Sequence, residues 1–70
     1  MATNVSMITI YFNDGKSVQH KAVGLLQVTV EDLSDVLIVK LHSPSDITYW
    51  WYMKSEIKCY RTSILKTLMI

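Results

Sequence analysis

The chain has 70 residues, half of them hydrophobic, with a formal net charge of +1 and a single cysteine. A composition this apolar is not that of a disordered segment, and no run reaches the roughly 20 apolar residues of a membrane span. The near-neutral balance lacks the field of a duplex-DNA binder, and one cysteine cannot close an intrachain disulfide.

The first predicted element is Val5 to Phe12, VSMITIYF, in which Ile8, Ile10 and Phe12 alternate with Met7, Thr9 and Tyr11. That is the period of a half-buried strand. Asn13-Asp14-Gly15 follows and reads as a hairpin loop. A two-residue Asp-Gly loop would set Ile10 opposite Gln19. A three-residue loop with Gly15 left-handed at a bulge sets Ile10 opposite Val18 and Ile8 opposite His20, keeping Val18 and Ala22 on the apolar side. The second register is the expected one, and it turns His20 inward as a partly buried histidine with a local hydrogen-bond partner.

Gly24 interrupts the pattern, and Leu25 to Val30 resumes it with Leu26, Val28 and Val30 facing one way. Glu31 to Asp35 is a polar turn with Leu33 as a hydrophobic plug. A capped helix across Thr29 to Leu37 is the competing reading, with Val30, Leu33, Val36 and Leu37 on one face. The β-branched Ile38 and Val39 favour strand, and Val36 to Leu41 is expected as a central strand. Ser43-Pro44-Ser45-Asp46 is the next turn.

Ile47 to Lys54, ITYWWYMK, sets four aromatic residues in a row. On a strand Ile47, Tyr49, Trp51 and Met53 share one face, and Thr48, Trp50, Tyr52 and Lys54 the other. The first set is the more apolar and is expected in the core. Trp50 and Tyr52, with Lys54 beside them, are then expected outside the core, where they either cover cross-strand neighbours and lie beneath the C-terminal segment or meet a partner. Beyond Ser55 two readings stay open. Ser55 could cap a helix with Ile57, Tyr60, Ile64 and Leu68 on one face, or a further strand ends near Thr62 and a short helix follows.

Short strands at regular intervals predict one mainly β domain over residues 1–70, a small antiparallel meander or SH3-like barrel of five or six strands. A short C-terminal helix, or an α+β fold, is the alternative. A core this small rarely supplies more than about 3–5 kcal/mol. With no disulfide and no zinc spacing among His20, His42 and Cys59, self-association is the reinforcement left open. The expected contact residues are Trp50, Tyr52, Lys54, Lys58 and Arg61, with Leu68 and Ile70 of the apolar end either tucked into the chain's own core or docking on a neighbouring subunit. The same aromatic and basic residues could instead stack a nucleotide or single-stranded nucleic acid.

Catalytic signals are weak. His42 beside Ser43, Ser45 and Asp46 contains triad residue types, but neighbours at a turn seldom form a triad in space. Cys59 is expected as a small buried hydrophobe. Two glycines in the whole chain leave no phosphate-binding loop, and neither paired carboxylates nor a cofactor motif is present. The N-terminal MATNVSMITIYF lacks the basic start of a secretory signal, so the expected setting is a reducing cytoplasm.

MITIYFNDGK, the valine-rich middle, YWWYM and IKCYR together resemble small β-meander proteins encoded by phages and prophages. The resemblance implies a non-enzymatic accessory role, exercised by binding something of the host's. Some such proteins block a host enzyme, and others form oligomers that sequester a signalling nucleotide.

Overall fold

The computed structural model describes residues 2–64, and these form seven strands in two antiparallel sheets. In chain order the strands are β1 (Ala2–Val5), β2 (Met7–Phe12), β3 (Ser17–Lys21), β4 (Gln27–Asp32), β5 (Val36–His42), β6 (Ile47–Met53) and β7 (Ile57–Ser63). One sheet has the order β1-β4-β5-β6, the other β3-β2-β7. The mainly β reading holds, but the sheets do not close into a barrel. They face each other as a small sandwich of seven strands rather than a meander of five or six.

The reason lies at Ser6. The run read as one strand from Val5 is broken there, so that β1 joins the four-stranded sheet while β2 starts the other. The Ser6 amide donates to Ser63 O and its carbonyl accepts from the Ala22 amide, both at 2.8 Å. The bend therefore keeps its main-chain groups paired as the chain changes sheet.

The first hairpin adopts the expected register, with Ile8 opposite His20 and Ile10 opposite Val18. Gly15 has φ +90°, a left-handed conformation that costs glycine little and a β-carbon residue more. Leu25 and Leu26 fall outside the strand expected to begin there, because a turn closes from the Leu26 amide to Val23 O at 3.0 Å. The helix considered across Thr29 to Leu37 does not form. Those residues lie on β4, β5 and the turn between them, joined by the Leu33 amide donating to Val36 O at 3.0 Å. Ser55 caps no helix either. A 3-10 turn at Lys54–Glu56 leads into β7, which pairs with β2 through a bulge that leaves Lys58 unopposed. Any helix after Thr62 lies outside the described residues, apart from Ser63 at the end of β7 and Ile64.

Between the sheets, Val5, Val28, Val30, Leu37 and Val39 from the four-stranded layer meet Ile8 and Ile10 of β2. All are buried, and six of these seven are β-branched valines or isoleucines, as pleated packing favours. Phe12, Val18, Leu41, Trp50, Tyr52, Ile57 and Tyr60 close the margins.

Candidate functional site

The β5–β6 hairpin determines which aromatic residues reach the core. Its Pro44-Ser45 tip places Val39 opposite Trp50, Leu37 opposite Tyr52, Ile38 opposite Trp51 and Lys40 opposite Tyr49. Leu37 and Val39 are fully buried between the sheets, so Trp50 and Tyr52 share their face. This reverses the expected orientation of the strand. Trp50 and Tyr52 pack against the core, whereas Ile47, Tyr49, Trp51 and Met53 stand outward at 47%, 51%, 66% and 54% exposure.

The inward pair is held from the opposite sheet. His20 of β3 lies 4.7 Å from the Trp50 ring and 5.9 Å from the Tyr52 ring, centroid to centroid. Its Nε2 shares a 2.6 Å hydrogen bond with Tyr52 Oη, so the polar tip of a half-buried phenol is satisfied inside the sandwich. His20 is inward as expected, but its partner is 32 positions away rather than local. Burial lowers the His20 pKa and raises that of Tyr52, because a low-dielectric setting disfavours either charged form.

The other expected contact residues scatter. Lys54 pairs with Asp32, whose second oxygen accepts from Tyr60 Oη at 2.6 Å. This cluster ties β4 to the 3-10 turn and to β7 across the two sheets. Arg61 sits opposite Thr9 on the outer face of the three-stranded sheet, and Lys58 occupies the bulge. Trp50, Tyr52 and Arg61 therefore share no surface. Leu68 and Ile70 lie outside the described residues. Cys59 is exposed rather than buried, because it pairs beside Tyr11 on the outer face.

Residues of triad type do not assemble at the β5–β6 turn. Ser43 Oγ donates to Asp46 Oδ1 at 2.6 Å, while His42 Nε2 turns to Thr29 Oγ1 at 3.0 Å. These bonds close the turn and join β4 to β5. A cleft of about 500 Å³ lies by the first hairpin, lined by Phe12, Asn13, Asp14, Lys16, Ser17, Ser55 and Glu56. Two of its polar groups are occupied locally, Asn13 Nδ2 donating to Ser55 O and Asp14 Oδ1 accepting from the Lys16 amide. Among the described residues no group of three or more His, Cys, Asp or Glu could hold a metal ion, and no helix is long and apolar enough to cross a membrane.

The remaining candidate is the outer face of β5 and β6. Met53 stands beside Val36, Trp51 beside Ile38, Tyr49 beside Lys40, and Ile47 beside His42. Ile38 is buried although it faces outward, being opposite the Trp51 indole on one side and Glu31 on the other. Lys40 Nζ lies 5.8 Å from the Tyr49 ring centroid and 3.9 Å from Glu31 Oε1. The site is thus an aromatic and aliphatic ridge with one cation, largely offset by its carboxylate neighbour.

No protein-family model matches this chain, and neither a curated protein nor a solved structure matches it. What the ridge can do is therefore argued from its own chemistry.

Proposed function

We propose that this protein is a non-catalytic binding module that works as a homo-oligomer, with the outer ridge of β6 as its contact surface. In the manner of the phage-type accessory proteins it resembles, its further partner is a host protein, met in a reducing cytoplasm. One observation carries the reading: a small domain turns Ile47, Tyr49, Trp51 and Met53 outward together. Contiguous apolar patches on this scale mark interaction sites, and tryptophan, tyrosine and methionine are enriched at interfaces. An exposed Cys59 thiol suits a reducing compartment.

Native mass spectrometry of gently purified protein tests this. The expected result is a multiple of the 8.1 kDa chain, with any excess mass identifying a retained ligand. A monomer at all concentrations would remove the homo-oligomer, leaving a host protein to be sought by pull-down.

A second reading has one observation in its favour. Tyr49 and Trp51 are exposed rings two positions apart, with Lys40 beside Tyr49, an arrangement on which bases could stack. The charge favours the protein contact, since Glu31 faces the same lysine. Tryptophan fluorescence titrated at low salt with short oligonucleotides and cyclic dinucleotides decides the matter, and a flat titration ends the stacking reading.

A further inference from the structure

We infer that the second copy docks edge to edge, with β6 of one chain pairing antiparallel to β6 of another across a two-fold axis, so that the four-stranded sheets join. This rests on the oligomeric reading above and specifies its geometry.

The main chain supplies the first argument. In the β5–β6 hairpin the Ser43 amide donates to Asp46 O, and the Lys54 amide donates to Asp35 O. Antiparallel pairs alternate between hydrogen-bonded and non-bonded positions. Those two bonds therefore assign Thr48, Trp50 and Tyr52 to bonding with β5. The N–H and C=O groups of Ile47, Tyr49, Trp51 and Met53 point the other way, to the edge of the sheet at which no described strand lies. The residues with exposed side chains are thus also those with outward main-chain groups.

The second argument compares the four sheet edges. Exposed edges are usually blunted by shortness, charge, proline or a bulge. β1 has four residues, β3 carries Gln19, His20 and Lys21, and β7 carries Lys58, Arg61 and the bulge. β6 has seven residues, none charged and none proline or glycine, in unbroken register with β5. Among the described strands it is the edge left ready to pair.

Register follows from the alternation. Bonds across the new edge must join residues 47, 49, 51 and 53 of the two copies. Centring the axis at Trp50 pairs the whole strand, Ile47 with Met53 of the second copy and Tyr49 with Trp51 of the second copy. It also brings Asp46 at one end toward Lys54 of the second copy, whose ammonium its own Asp32 already holds, so like charges are kept apart at both ends. The four outer side chains expose on the order of 500 Å² per copy, taking about 150–250 Å² for a whole aromatic side chain. Edge pairing covers only the flanks of these side chains that meet the second strand, so the buried area stays below the about 1,000 Å² of a stable specific interface. The dimer is accordingly reversible, and pairing uses up both edges, which closes the assembly.

Sedimentation equilibrium of the wild type, Tyr49→Val and Tyr49→Pro provides the test. The Tyr49 amide is not used within the hairpin, so proline there leaves the fold's own bonds intact, which circular dichroism and the melting temperature check. Valine and proline are close in size, and their difference isolates the edge amide. Tyr49→Pro should weaken dimerisation roughly tenfold or more beyond Tyr49→Val, one bond being lost from each copy. Equal affinities would place the contact on another surface, overturning the edge geometry but not the oligomer. A wild type that stays monomeric would overturn both.

The register is tested independently in a Cys59→Ser background that does not require proline. Tyr49→Cys and Trp51→Cys proteins should form a disulfide when mixed and not when oxidised alone. Paired residues lie about 5.5 Å apart, within disulfide reach, whereas like residues sit two positions out of step. Cross-linking of either variant with itself would reject this register. Slow, concentration-independent exchange of the Tyr49 and Trp51 amides would mean that the chain covers its own edge, and would overturn the proposal.

Discussion

At Asp32, two side chains remote in sequence, Lys54 and Tyr60, share one carboxylate. Hydrogen bonds from Lys54 and from Tyr60 hold its pKa below the usual carboxylate value, and the same bond raises that of Tyr60. A carboxylate depressed in the folded state contributes stability above its unfolded pKa of 3.8, which is lost as the pH falls through the lower folded value. Asp32→Asn should therefore flatten the acid limb of the stability curve below about pH 4. The cluster is exposed enough for solvent to screen it, so the cost at neutral pH should be under about 1 kcal/mol. Urea titrations of both proteins at pH 3 and 7 check this.

His20 acts higher on the pH scale. Its folded pKa lies below the ordinary histidine value of 6.5, so its stabilising effect is complete above that value and fades as the pH falls through the folded one. Wild-type melting temperature should drop between about pH 7 and 5. A His20→Gln variant should start lower and show less of that drop. Equal slopes would mean that the ring stays wet between Trp50 and Tyr52.

Among the elements, β6 carries the sharpest contrast. Trp50→Ala should destabilise the monomer by about 2–3 kcal/mol, below the full core value because Trp50 is half-buried. Trp51→Ala, which removes only a cross-strand pair with Ile38, should stay within about 1 kcal/mol in dilute solution. Equal effects in chemical unfolding would contradict the strand orientation. That orientation was legible in the sequence, though not in β6 alone. By apolarity the set with Tyr49 and Trp51 looks like core. The Pro44-Ser45 tip, however, sets Tyr49 beside Lys40 and Ile47 beside His42. Those two polar residues mark the outward face of β5, and the hairpin transmits the mark to β6. Pattern within one strand misleads where its edge position leaves one face covered only at the margin.

The whole molecule depends on few residues. A core built, among the described residues, around seven buried side chains has little reserve, since cores in domains this small rarely supply more than about 3–5 kcal/mol. Leu37→Ala, at a fully buried position, should cost about 2–5 kcal/mol. Its urea curve at low protein concentration should lack a native baseline, whereas a full folded plateau would show stability beyond what this core supplies. High protein concentration should restore part of the loss if self-association stabilises the fold, because binding to the native state adds to its apparent stability.

The sequence by itself determined the mainly β class, the first hairpin to the residue and the inward placement of His20, because period-two alternation and turn chemistry act over neighbouring positions. The tertiary structure alone decided the change of sheet at Ser6, the Asp32, Lys54 and Tyr60 cluster and the exposure of Cys59. Each of these depends on which sheet lies over which, and that is settled by packing between residues tens of positions apart, where local pattern carries no signal.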